Sequence, residues 1–510
     1  MVDRNYDVVV VGSGNAAMSS AVAAREAGAR VLVVEKAPFS HRGGNSRFSS
    51  GAVLRFAQRG IEDLKPLMPQ VPDSEWANVD IPPYSPDDFY NDLMRVTRGL
   101  ADPELGALLA NESYSTLRWM ADLGLQFEFL YDQSLRIGGK FRWTPGRIVM
   151  HAVDGGAGLI DGWLAVAKET GIEVRFETRA TKLLVDDRGA IEGVVVLGKD
   201  GFESIPCRAV VMGSGGFGAS PQQRAAHLGA GWDVAKVRGT RFNTGDGLRM
   251  ALEIGAQSFG HWSSAHCSPI DANAANVEGK FLDPNNRAAD TNRYSWALGI
   301  LVNTLGLRFI DEGEDYHNFT YAKTGAVIMQ QPQGIVYQVY DAKTIPMLYE
   351  NYAFQPPAEA DTIGGLAEKL DIQPEVLSRT VAEFNGAVVE DRPFDYSKRD
   401  GRHTQGIVPT KTNWSQKIDT PPYRAYAVTA GLTFTFGGLK VDRNMQVWDV
   451  QERPISGLYA AGEMTGGFFY YNYPDGSGLV RGAVTGRIAG RSAGSAAVGS
   501  AAVRAGQAKT

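Results

Sequence analysis

The sequence is poor in cysteine: 510 residues hold two, Cys207 and Cys267. Two distant thiols cannot make a disulfide framework or a four-thiolate metal site. No Cys-x-x-Cys-His occurs, so covalently attached c-type haem is excluded, and no metal site is expected. Both thiols are expected as small buried apolar residues, in keeping with a reducing compartment. Long apolar runs are also missing; none approaches the roughly 18 to 20 residues that span a bilayer. Charge of one sign is not blocked anywhere. The formal net charge of -6 is spread along the chain, which gives no case for a nucleic-acid partner or an anionic membrane surface. Residues 1–6 lead straight into a strand with no leader-like segment, so the expectation is a cytoplasmic protein.

What is present is an ordinary globular composition, 44% hydrophobic and 21% charged, in a chain long enough for two or three domains. Asp7 to Val11 read as a buried parallel strand, Ala16 to Ala27 as a helix stopped by Gly28, and Arg30 to Val34 as the next strand. From Ala52 to Arg147 the pattern is mostly helical, with a proline-rich surface loop around Pro69 to Pro86. A helix is predicted over Leu159–Glu169, then strands over Glu173–Phe176, Gly193–Leu197 and Ala209–Met212. From about Trp262 to Leu432 the composition shifts toward Asn, Pro and aromatic residues, with helices over Ile363–Leu370 and Pro374–Asn385, which reads as an inserted domain. Gly457–Ala461 returns to a strand, followed by a helix over Gly478–Arg491. The Ala, Gly and Ser tail after Gly494 is expected to fray.

The chemistry is carried by glycine-rich turns. Gly12-Ser13-Gly14-Asn15-Ala16-Ala17 lies between a strand and a helix. Gly12 permits the tight turn, Gly14 lets a pyrophosphate reach the backbone, and Ala17 keeps the helix close to the strand. The helix N-terminus then offers free N–H groups and a positive dipole end to the diphosphate. Glu35 ends the second strand 21 positions after Gly14, where a carboxylate accepts hydrogen bonds from ribose hydroxyls. This fingerprint does not tell one dinucleotide from another. A second loop, Gly43-Gly44-Asn45-Ser46 with Ser49-Ser50-Gly51, brings backbone N–H groups and small hydroxyls after it. Near the other end, Gly462-Glu463 follows a strand and Ser477-Gly478-Leu479 opens a helix. Together these suit a long, extended cofactor.

The order GSGNAA, GGNS, MGSGGF (Met212–Phe217), NTGDGLRMALEIGA (Asn243–Ala256), GILVNTLGLRFIDE (Gly299–Glu312) and GLYAAGE (Gly457–Glu463) resembles the fumarate reductase/succinate dehydrogenase flavoprotein family over nearly the whole chain. DEGEDYHNFTYAKTG and YNYPDGSGLVRGAVTGRIAGR look most like its FAD-dependent tricarballylate dehydrogenase branch; YNYP before a Gly-rich turn is similar to 3-ketosteroid dehydrogenases.

The resemblance implies an α/β fold: a bipartite Rossmann-like FAD-binding domain (1–261 and 433–494) with an inserted α+β capping domain (262–432), a flexible tail (495–510), and substrate held between domain and cap. It also implies FAD contacts at Lys36, Ala180, Ser214, Gly215, Asn243 and Asp246. Family members that bind flavin covalently carry a His where this sequence has Asn45, so FAD is expected to be noncovalent. The implied reaction adds or removes two hydrogens across a carbon–carbon bond: hydride passes between one carbon and flavin N5, and a base handles the proton of its neighbour. The helix at Gly478 is expected to stabilise negative charge on the flavin.

The departures matter. The Arg that serves fumarate reductases as proton carrier falls on Tyr316, with His317 beside it, making Tyr316 the first and His317 the second candidate base. His266 matches one substrate-binding His of dicarboxylate-binding members. The second falls near Thr433–Phe436, where there is none, and the clamping Arg falls on Tyr473. Fumarate and succinate are therefore poor fits. Arg481 could supply positive charge instead, with Arg47, Arg142 and Arg147 as weaker candidates, and the run Phe468-Phe469-Tyr470-Tyr471-Asn472-Tyr473 could wall the site for a larger or ring-shaped substrate. The leading expectation is oxidation of a polycarboxylate such as tricarballylate. The alternatives are desaturation of a cyclic ketone, and an electron-transfer flavoprotein subunit. With no haem or iron–sulfur ligands, electrons must pass to a separate acceptor: a protein, a quinone or oxygen.

Overall fold

The computed structural model describes residues 6–49, 51–278 and 291–507, with side chains through residue 499. The described chain forms two compact units. One comprises residues up to 233, 239–264 and from 434 onward; the other comprises 234–238 and 265–433.

The first unit is built on a six-stranded sheet in the order Gln446–Trp448, Pro454–Ala460, Ala209–Met212, Val8–Val11, Val31–Val34, Glu173–Arg175. Five strands are parallel, and the Gln446–Trp448 edge is antiparallel. The central strands are runs of Val, Leu, Ala and Met with every residue buried, as expected where both faces of a parallel sheet are covered. An antiparallel meander, Arg179–Val185, Ile191–Gly198 and Gly201–Pro206, leaves the sheet edge and returns. Its first and third strands and the short strands Val53–Leu54, Phe127–Phe129 and Met150–Ala152 were not legible in the sequence; the last three form a separate small sheet. The proline-rich stretch is not wholly loop, for it holds a helical turn at Asp73–Trp76 and a strand at Val79–Asp80.

The last helix, Ser477–Gln507, continues well past Gly494, where the composition predicts fraying. Alanine is the best helix former, and this segment is rich in it. Packing supplies a further reason. Gly482, Gly486, Gly490 and Gly494 recur every fourth residue along one face. A Cβ at Gly486 would lie 2.4 Å from Ala16 O, at Gly490 2.1 Å from Ser20 O, and at Gly494 2.8 Å from Ala24 O. The glycine row therefore brings the last helix into backbone contact with the first, Asn15–Glu26.

The second unit centres on a sheet ordered Lys236–Val237, Tyr423–Thr435, Val336–Tyr340, Ile300–Asn303, with Ala265–Asp271 and Ala358–Ala360 also paired to the long strand. Helices Ile363–Lys369 and Pro374–Ala387 contribute Leu366, Leu377, Val381 and Phe384 to a core with Ile300, Val302 and Val339. The segment 234–238 joins this unit because Lys236 and Val237 pair in parallel with Gly431 and Leu432. Nothing in its own sequence marks it as separate from its neighbours. Helix Tyr321–Met329 lies against Ala265–Asp271, where a Cβ at Gly325 would lie 2.0 Å from Cys267 O. Cys207 and Cys267 are buried and not joined in a disulfide. Among the described residues there is no metal-ligating cluster and no helix long and apolar enough to cross a membrane.

Candidate cofactor and substrate sites

In the first unit, four sequence-distant motifs meet at the start of the first helix. Gly12 adopts φ +104°, and a Cβ there would lie 2.7 Å from Gly213 O, so only glycine fits. A Cβ at Gly14 would lie 3.5 Å from both Gly43 O and Ser46 Oγ, which places the Gly43-Gly44-Asn45-Ser46 loop against the first turn. Ser13 links the two: Gly43 N donates to Ser13 Oγ at 3.0 Å, and Ser13 Oγ donates to Glu35 Oε2 at 2.8 Å. Ser46 Oγ accepts from Asn15 N at 3.1 Å. From the far end of the chain, Leu479 O accepts from Asn15 Nδ2 at 2.8 Å, and a Cβ at Gly462 would lie 2.6 Å from Ala16 Cβ. Ala17 is buried and closes on Gly213, where a Cβ would lie 2.8 Å from the Ala17 methyl.

Glu35 is buried at the end of the second strand and also accepts from Ser13 N and Ala37 N. A carboxylate has about four lone-pair sites, so acceptor capacity remains for hydroxyls. Lys36 donates to Asp246 at 2.8 Å, and Arg179 donates to the other Asp246 oxygen at 2.9 Å. These partners hold the Asp246 carboxyl below its usual range, although burial acts the other way as the largest single influence. Ala180, next to Arg179, is buried in the meander. Ser214 donates to Met464 Sδ at 3.3 Å. A Cβ at Gly215 would lie 2.4 Å from Asn243 Oδ1, which is buried without a hydrogen-bond partner among the described residues. Asn243 Nδ2 donates to Glu463, which also accepts from Thr435 N at 2.7 Å. Burial pushes the Glu463 carboxyl up. Ser477 is buried at the start of the last helix, Gly44 lies in the second loop with φ +52°, and Gly51 precedes the strand Val53–Leu54. Ser50 lies outside the described residues.

Asn45 is an amide whose Oδ1 accepts from Thr240 N at 3.1 Å, so it offers no nucleophile for a covalent flavin link. Packed backbone turns and a helix N-terminus fit the phosphates of an extended dinucleotide, and the unpaired Asn243 oxygen fits a hydroxyl or N–H donor of the same molecule.

Behind this loop system stands an aromatic wall. Tyr473 meets Phe434 at 5.4 Å and Phe469 at 5.2 Å between ring centroids. The aromatic run divides: Phe468 and Phe469 are buried, whereas Tyr470 and Tyr471 pack on His261. Arg481, only 2% exposed, lies over Phe469 at 4.7 Å. The weaker cationic candidates have other employment: Arg142 pairs with Asp80 at 3.2 Å on an exposed hairpin, Arg147 donates to Gln133 at 3.2 Å, and Arg47 lies 3.5 Å from Asp161.

In the second unit His317 and His266 are linked through two tyrosine rings. His317 stacks on Tyr294 at 5.1 Å with rings 14° apart, and Tyr294 meets Tyr321 at 5.3 Å. Tyr321 in turn meets His266 edge-on at 4.8 Å. Tyr316 packs against Trp414 at 5.1 Å and Tyr396 at 6.3 Å. Tyr316 caps the 3-10 turn His317–Phe319.

Arg238, which sequence reasoning missed, joins this cluster. Its guanidinium donates to Ser268 Oγ at 2.9 Å, Thr433 Oγ1 at 3.1 Å and Asn292 Oδ1 at 2.7 Å. Tyr294 Oη donates to the same Ser268 Oγ at 3.2 Å. Burial and the nearby Arg238 charge push His266 well below the ordinary histidine range, so it is neutral near pH 7. The period-2 pattern of Ala265–Asp271 could have found Ser268, which shares a strand face with His266. Nothing in the sequence around Arg238 marks it.

The sequence matches the FAD binding domain family over residues 7–479. The chain belongs to that family. This flavoprotein is an FAD-dependent oxidoreductase. It is 30% identical over 483 residues to a probable fumarate reductase, Ifc3, of Shewanella frigidimarina, covering 92% of this chain and 72% of the relative. It is 26% identical to a vinyl phenol reductase of Lactiplantibacillus plantarum, covering 92% of each. The open conformation of a flavocytochrome c3 fumarate reductase superposes on the flavoprotein with TM-score 0.69 at 28% identity, covering 97% of this chain and 79% of that one. The 3-ketosteroid delta1-dehydrogenase of Sterolibacterium denitrificans shares the fold, with TM-score 0.72 at 22% identity, covering 96% and 99%.

Proposed function

We propose that this flavoprotein moves two hydrogens across a carbon–carbon bond adjacent to a carbonyl or carboxylate, in a substrate with a ring or other sizeable apolar part. The carrying observation is the make-up of the second-unit cluster: a neutral His266, a stacked His317 and the cation Arg238, walled by Tyr294 and Tyr321. Relatives that reduce fumarate and vinyl phenols, both of which carry a carbon–carbon double bond, support the bond type.

FAD, when bound, supplies the two-electron acceptor or donor. Gly12, Gly14, Glu35, Gly43, Ser46, Asn243, Glu463 and the N-terminus at Ser477 would hold it, noncovalently. The chain's own residues then do the following. His317 takes or returns the proton at an imidazole nitrogen, with the Tyr294 ring fixing its plane. An imidazole with an unperturbed pKa of about 6.5 is better matched to neutral pH than a phenol of about 10. Arg238 and His266 orient the oxygen that acidifies the neighbouring C–H. The aromatic residues exclude water, which strengthens those polar contacts.

A second reading, oxidation of a polycarboxylate such as tricarballylate, is supported by the buried cation Arg481. In either reading a separate acceptor or donor, a protein, quinone or oxygen, must exchange the electrons. Anaerobic mixing of the FAD-loaded protein with cyclic ketones and with tricarballylate, followed by flavin bleaching near 450 nm, tests both. Bleaching by the ketones alone supports the first reading, and bleaching by tricarballylate alone replaces it with the second. If neither bleaches the flavin and the reduced protein is reoxidised neither by the matching enones nor by the unsaturated acid formed from tricarballylate, both are wrong.

A further inference from the structure

Arg481 is a buried cation with hydrogen-bonding capacity to spare. It is 2% exposed, and its Nε and Nη1 have no hydrogen-bond acceptor among the described residues. Its neighbours are rings: Phe469 at 4.7 Å, Phe434 at 5.5 Å and Phe468 at 5.8 Å. Cation–π contacts recover only part of what it costs to take a guanidinium out of water. A guanidinium so placed is stable only if an acceptor arrives.

The surroundings say what kind. Side chains on a helix lean toward its N-terminus, so Arg481 points back over the first turn. The residue three positions earlier is Gly478, where a Cβ would come no closer than 3.5 Å to Phe434 and 3.7 Å to Tyr473. Gly478 adds no side chain to that turn, and the Phe434 and Tyr473 rings stand beside it at contact distance. The first-turn N–H groups of the 31-residue helix and the Arg481 fork share that end. Burial lowers Arg481 to about 10, partly offset by Glu463 and Tyr473, so it stays charged at neutral pH.

We propose that Arg481, with the first turn of the last helix, is a recognition site for an anionic oxygen. Two sources share this chemistry: a carboxylate of the substrate and the pyrimidine edge of the cofactor. The proposal rests on FAD binding in this unit, but not on which bond is oxidised or which residue moves the proton.

The test uses FAD-loaded wild type, Arg481→Lys and Arg481→Met, each first checked for FAD content. Sulfite, whose flavin adduct is favoured by positive charge at the pyrimidine edge, probes the cofactor source. Tricarballylate and malonate, followed as perturbations of the flavin absorption, probe the substrate source. In Arg481→Met we expect at least a tenfold weaker sulfite adduct if the partner is the cofactor, or at least tenfold weaker carboxylate binding if it is the substrate. Arg481→Lys keeps the charge but loses the planar fork, and is expected to lose affinity for the same probe by a smaller factor. If Arg481→Met does not retain FAD, Arg481→Lys decides alone. Affinities for all probes within twofold of wild type in an FAD-loaded variant overturn the proposal. Apoprotein that never takes up FAD in wild type would instead sink the cofactor assignment.

Discussion

Asn15 joins three parts of the chain through one amide. Its Nδ2 donates to Leu479 O at 2.8 Å, across 464 positions, while its Oδ1 accepts from Trp163 Nε1 at 2.8 Å. The side chain thus positions the last helix against the first at the turn where the glycine motifs converge.

Asn15→Asp keeps the acceptor for Trp163 but removes the donor and adds a negative charge beside the expected diphosphate. A charge-bearing hydrogen-bond position of this kind is worth about 1–3 kcal/mol, so FAD affinity should fall by about tenfold or more. Fluorescence titration of apoprotein with FAD measures this. Unchanged affinity would remove the first helix from the cofactor site.

The glycine row makes a contrast within a single helix. Gly490→Ala places a methyl group 2.1 Å from Ser20 O and should destabilise the protein by roughly 1–3 kcal/mol through overpacking. Gly499→Ala meets nothing within 4 Å and should gain up to about 1 kcal/mol from helix propensity. Paired thermal melts at equal FAD saturation distinguish the two; equal shifts would mean that the helices do not pack through this row.

His317 and Tyr316 separate by function if the second-unit cluster carries the proton. His317→Gln should slow single-turnover flavin reduction by about 10²–10⁴-fold, the usual worth of a general base. Tyr316→Phe keeps the ring that packs on Trp414 and Tyr396 and should stay within about threefold of wild type. The reverse ranking would reinstate Tyr316.

Lys411 is fully buried and donates to Ala297 O and Gly299 O at 2.7 Å each. Burial lowers its pKa to about 8, from an unfolded value near 10.5. Between those values the unfolded chain binds the proton more tightly than the folded one, so stability rises with pH through the window. Below about 8 the cost of the buried charge is constant, and above 10.5 it is gone. The difference in unfolding free energy between wild type and Lys411→Met should therefore grow in favour of wild type from pH 8 to 10.5, with a slope of at most about 1.4 kcal/mol per pH unit. Urea unfolding at stepped pH reads the slope; a flat difference would mean that Lys411 titrates normally in the fold.

The sequence by itself determined the dinucleotide half of the molecule. Strand Val8–Val11, the turn at Gly12 to Ala17, Glu35 and the strand Ala209–Met212 depend on local rules: apolar runs buried on both faces, glycines where a Cβ has no room, and a carboxylate at a strand end. Those rules act over a few residues, and a few residues suffice to read them. Only the tertiary structure decided the substrate-side chemistry. Arg238 reaches His266 because a two-residue strand pairs with Gly431 and Leu432. Tyr294 stacks on His317, and Tyr321 bridges Tyr294 to His266, because three separate segments fold onto one another. The long helix past Gly494 likewise reads as a tail by composition and becomes ordered through the partner helix that its glycines admit. Contacts made across hundreds of residues are fixed by packing energy, and no local pattern in the chain encodes it.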